Sequence, residues 1–175
     1  MFRAAAEAHC DLCVGQGEEL AWRRNPGAMP LARLLTVLRG KTAPAFEVAL
    51  KLGCLYADGG QAVNRALGAF SAALGVAYQI RDDLHDGHGG EGASDIEAGR
   101  LSVLRAIAWE ETKNHREAPS ETATHAIAQG LLDEYACAAR GAVQSLNAPA
   151  LRQFLEEVMT VMLADGAPLP KRDET

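Results

Sequence analysis

Chain-breaking residues are sparse in the first half of this sequence and sharply placed, which confines it to long helices. Asn25-Pro26-Gly27 closes a run over 2–24 rich in Ala, Glu and Leu, and Asp58-Gly59-Gly60 closes a second run. A third, 61–86, ends where the most glycine-rich part of the chain, 87–99, begins. No apolar/polar alternation extends far enough for a strand, and no short internal repeat is present. Apolar residues are 48% of the 175 and aromatics only 5%, so the core must come from Ala, Leu and Val, a mixture that favours helices. One all-α domain is expected, long enough to bury a core without staples.

Within the first helix, Gly15 and Gly17 each cost roughly 1 kcal/mol relative to alanine. Either another backbone or a ligand comes close there, or the helix simply tolerates them. Pro30 starts the second helix, with Leu31, Leu34, Leu35 and Leu38 as its apolar stripe. Gly40-Lys41-Thr42-Ala43-Pro44 interrupts it, because proline removes an amide donor and clashes with the carbonyl four residues back. A kink or break is expected near there, with Lys41 and Thr42 at a discontinuity where a cation and a hydroxyl could reach an anion. A solvated lysine at a bend is the plain alternative. The third helix carries Leu67, Phe70, Leu74, Ala77 and Tyr78, with Gly68 and Gly75 as a close-contact seam. Further helices are expected over 101–109, 121–146 and 149–164, with a polar stretch over 113–120. Residues 1–165 form the domain and 166–175 a polar tail.

The end of the third helix reads Asp82-Asp83-Leu84-His85-Asp86. Gln79, Asp82, Asp83 and Asp86 fall at i, i+3, i+4 and i+7 and so share one face. Like charges repel at that spacing, and acid at a helix C-terminus opposes the macrodipole. A hard divalent cation held through oxygen offsets both, and Mg2+ is usually bound by one or two carboxylates plus substrate phosphates. The bland reading is an acidic turn facing water. The glycine-rich loop that follows has the character of a lid over a phosphate site, with His85, His88, Asp95 and Arg100 near it.

Net charge is −6, and no basic run is longer than a pair such as Lys171-Arg172, which argues against nucleic acid as a partner. No apolar run reaches a membrane span and no signal-peptide core opens the chain, so a cytoplasmic location is expected. Cys10 and Cys13 form a CxxC without a second pair to complete a zinc site, and read as small core or interface residues.

In order and spacing, GQGEEL at 15–20, GKTAPAFEVALKLG at 40–53, GVAYQIRDDLHD at 75–86 and SDIEAGRLSVL at 94–104 resemble the C-terminal half of the trans-isoprenyl diphosphate synthase (polyprenyl synthetase) family. The resemblance implies a terpenoid-synthase-like helical bundle, truncated at its N-terminal side. It also implies a prenyltransferase in which a Mg2+-held allylic diphosphate ionises and isopentenyl diphosphate attacks. On that carry-over Asp82, Asp83 and Asp86 are the second aspartate-rich motif and bind Mg2+. Lys41, Thr42 and Gln79 are catalytic, contacting the allylic diphosphate and the early carbocation. Gln16, Lys41 and Arg100 bind substrate, and Glu19 stands near the metals.

The family's first aspartate-rich motif, its arginine pair and its N-terminal lysine–arginine site have no counterpart in these residues. The segment 87–99 contains no Lys or Arg where a lysine is expected. Three readings follow: half of a catalytic unit completed elsewhere, a non-catalytic or degenerate homologue acting through partner contacts, or a helical interaction module without a ligand. A half-bundle would expose much of 31–55, so a homodimer or a partner synthase subunit is expected to cover it.

Overall fold

The computed structural model describes residues 1–87, 101–115 and 117–164. The expected lid with His88, Asp95 and Arg100, and the polar tail, lie outside the described residues. Those described form six α-helices: α1 (Phe2–Arg24), α2 (Leu31–Tyr56), α3 (Gln61–Gly87), α4 (Val103–His115), α5 (Glu121–Gln144) and α6 (Pro149–Leu163). None is long and apolar enough to cross a membrane.

α3 is the central rod. It packs along α2 on one side and α5 on the other, α1 covers α2, and α4 and α6 close the bundle. Its apolar positions feed two cores. Val76, Ile80 and Leu84 meet Leu34, Val37 and Leu38 of α2, Val103 and Ile107 of α4, and Ala128 of α5. One half-length back, Leu67, Phe70 and Leu74 meet Val143 of α5 and Leu155 and Met159 of α6. The first core lies beside the acid motif and supports it.

The expected interruption at Gly40–Pro44 takes a different form: α2 is one continuous helix with Pro44 buried inside it. Packing on both sides explains how the helix persists through the missing hydrogen bond. A Cβ on Gly15 would lie 2.3 Å from the Gly40 carbonyl carbon, and one on Gly75 would lie 2.9 Å from the Ala43 Cα. α1 and α3 thus clasp α2 at backbone contact on either side of Lys41. Gly15 and Gly75 are the close approaches the sequence announces, whereas Gly17 faces open space.

Where α2 ends, Asp58 sits at φ 51°, the Gly59 N–H donates to the Cys54 carbonyl at 2.7 Å and the Asp58 N–H to the Leu55 carbonyl at 3.4 Å. This is a Schellman stop with aspartate in the position glycine usually takes. α4 runs beyond the expected 109 to His115. Lys113 stacks over Trp109 at 5.3 Å and the Thr112 hydroxyl donates to the Ala108 carbonyl, which extend the helix into polar sequence. Cys10 and Cys13 are exposed and so are not core. The segment 31–55 is also better covered than expected. Leu34, Val37 and Leu38 are buried, and among the described residues the large exposed apolar side chains are Leu55 and Tyr56 at its end, Met1, Phe2, Val14 and Leu20 at and along α1, Ile127 on α5, and Phe154 and Val161 on α6.

Candidate functional site

Two polar centres are built on the clasped part of the bundle. In the first, the Gly15–Gly40 crossing brings α1 and α2 so close that Lys41 Nζ lies 3.1 Å from Glu19 Oε2. Arg23, one turn along α1, donates to Glu19 Oε1 at 2.9 Å. Lys41 and Glu19 are only 15% and 11% exposed, so the pair is shielded from solvent and salt. Glu19 bridges two cations, and the trio keeps one net positive charge. Thr42 is half-buried beside it, and Gln16, one turn before Glu19, is exposed.

The second centre is the end of α3. Gln79 is half-buried, and Asp82 pairs with Arg81. The Arg81 guanidinium stacks 4.6 Å from the Tyr78 ring centre, and its second amino group donates to the Met162 carbonyl in the last turn of α6. That carbonyl is one of the four at a helix end without an intrahelical donor, and a cation suits the negative pole there. Asp83 reaches the other way. Its Oδ2 accepts the Val103 N–H at 2.6 Å, the first amide of α4. Sequence reasoning missed Arg81, whose place immediately before the acid motif marked it only as a neighbour.

It also missed Glu110. Its Oε1 accepts the Leu31 N–H at 2.8 Å, at the start of α2, where Pro30 offers no side-chain cap. Nothing in the sequence pairs residues 79 positions apart.

Asp82, Asp83 and Asp86 supply hard oxygen donors at the spacing of one helix face, which suits Mg2+ better than softer metals. Among the described residues no three His, Cys, Asp or Glu side chains converge into a ready-made metal cage. The set therefore fits an ion that shares its shell with ligand phosphates and waters, as Mg2+ commonly does. Where Arg100 stands in this arrangement lies outside the described residues.

Residues 1–132 match the family described as polyprenyl synthetase, so this chain belongs to the polyprenyl synthetase family. A stretch of 82 residues is 33% identical to (2E,6E)-farnesyl diphosphate synthase of Mycobacterium tuberculosis, covering 47% of this chain and 23% of that protein. The bundle superposes on geranylgeranyl pyrophosphate synthetase of Geoglobus acetivorans with a TM-score of 0.79 at 20% identity, over 93% of this chain and 56% of that one. It is similar also to geranylgeranyl pyrophosphate synthase of Corynebacterium glutamicum complexed with isoprenyl diphosphate and magnesium. That likeness has a TM-score of 0.78 at 18% identity, over 92% of this chain and 54% of the other. At such identities the structural likeness is one of fold. The chain spans about a quarter to a third of the length of curated relatives it matches.

Proposed function

We propose that this chain carries the diphosphate-binding half of a prenyltransferase that joins an allylic diphosphate to isopentenyl diphosphate. The observation that supports this most is that the family match, 1–132, contains both Lys41-Thr42 and the acid motif, on helices clasped to one another. Asp82 and Asp86 would hold Mg2+ through their carboxylate oxygens. Mg2+, when bound, neutralises the diphosphate so that it can leave. Lys41 and Arg100 would add positive charge to the same group, Lys41 drawing on the net charge of the Arg23–Glu19–Lys41 trio. Thr42 and Gln79 would contact the allylic carbons and the first diphosphate oxygens, and Gln16 the substrate nearest the metals.

One acid motif neutralises only part of a diphosphate's charge, so a second set of ligands would come from residues outside these 175 or from another chain. The covering chain would be a second copy or a partner synthase subunit seated on α1, where Phe2, Val14 and Leu20 are exposed among the described residues.

Calorimetric titration with geranyl diphosphate, with and without Mg2+, tests the reading. Heat that requires Mg2+ and disappears in Asp82→Ala/Asp83→Ala is the expected result. No binding in either condition would leave a non-catalytic homologue that acts through helical contacts.

A further inference from the structure

We propose that Asp83 is a positioning residue within the acid motif: it docks the first turn of α4 on the end of α3, and metal binding rests on Asp82 and Asp86. The division of labour rests on the function proposed above, and the docking role stands on geometry alone.

α4 opens at Val103, whose amide is one of the four at a helix start without an intrahelical acceptor. A residue just before a helix serves the second or third amide with its side chain, so local capping does not reach the first. Val103 is fully buried between Leu84 and Ile107, and water cannot take the acceptor's place. The first turn of α4 holds no acidic residue to meet the positive pole of the helix. Asp83 Oδ2 at 2.6 Å answers both needs with a charge-assisted bond. The bundle uses the same device once more, where Glu110 of α4 accepts from the first amide of α2. α4 is thus tied at one end to the acid motif and further along to the start of the Lys41 helix.

A carboxylate committed to a buried amide is oriented by that amide. Asp82 differs, being 36% exposed and paired with an arginine, which a cation can displace or share. Asp86 is exposed.

The test uses the full chain with Asp83→Asn, Asp83→Ala, Asp82→Asn and Asp86→Asn. It reads hydrogen exchange at the Val103 amide and Mg2+-dependent binding of geranyl diphosphate. Asparagine keeps a carbonyl oxygen for the amide and discards the charge a metal ligand needs. We expect Asp83→Ala to speed exchange at Val103 about tenfold or more, while Asp83→Asn stays within about threefold of the parent, as loss of a buried bond and its replacement by a neutral one imply. Asp83→Asn should bind within about threefold of the parent and Asp83→Ala more weakly, whereas Asp82→Asn and Asp86→Asn lose the Mg2+ dependence. Loss of that dependence in Asp83→Asn, with Val103 still protected, would make Asp83 a metal ligand and overturn the assignment. Unchanged exchange at Val103 in Asp83→Ala would overturn the docking. If the unmodified chain binds no diphosphate, the proposed function fails by itself, and the exchange arm still decides whether Asp83 docks α4.

Discussion

Lys41 illustrates how little a residue's identity says until its partner is known. The sequence offers a lysine and a threonine at a proline-marked interruption, and an anion or bulk water would serve the lysine equally well. In the bundle it meets Glu19 at 3.1 Å, a partner 22 positions away supplied by the helix crossing. Removing it leaves Glu19 largely buried with Arg23 alone. Lys41→Met should therefore cost about 1–3 kcal/mol of stability, more than a surface pair is worth and less than an orphaned charge. Urea denaturation of Lys41→Met, Glu19→Gln and the double variant gives the coupling. If the two single losses simply add, the pair contributes nothing specific. Glu19→Gln also frees Lys41, so diphosphate affinity should rise if the ammonium faces the ligand, and stay level if it does not.

Among the elements, α1 supplies a matched pair of experiments on one helix. A methyl at Gly15 would run into the Gly40 backbone, which cannot yield without parting α1 from α2. Gly15→Ala is expected to destabilise by about 1–3 kcal/mol. Gly17 faces open space two residues on, and Gly17→Ala should gain up to about 1 kcal/mol from helix propensity. Thermal unfolding separates them, and equal shifts of the same sign would contradict the crossing. At the end of α2, Asp58→Gly relieves the left-handed backbone at φ 51° and should add about 0.5 kcal/mol. The sequence marks each of these glycines identically, and packing alone distinguishes them.

For the whole molecule, the open question is what faces α1. Phe2 is 96% exposed and Leu20 55%, and with Cys13 they recur at intervals of seven and eleven residues, which puts all three on one side of the helix. A second helix laid there would bury them. Sedimentation velocity at micromolar concentration is expected to show a dimer, and Leu20→Glu to yield a monomer with an unchanged helical circular dichroism spectrum. A parent chain that sediments as a monomer would remove the self-association reading and leave a different partner for that face.

Local chemistry determined the helices of this chain. Asn25-Pro26-Gly27 and Asp58-Gly59-Gly60 stop α1 and α2 where breaker residues must, because a missing amide or a left-handed turn acts within a few bonds. The ordered motifs around Gly15, Lys41 and Asp82 were equally legible, and they pointed to the family that the match over 1–132 defines. Two kinds of fact needed the tertiary structure. α2 runs through Pro44 because α1 and α3 hold it at backbone contact, an effect outside the helix itself. The division of the acidic face, with Asp82 beside Arg81 and Asp83 on the first amide of α4, depends on which helix end arrives there. Periodicity reports which side of a helix a residue occupies, and only the packed bundle decides what stands opposite it.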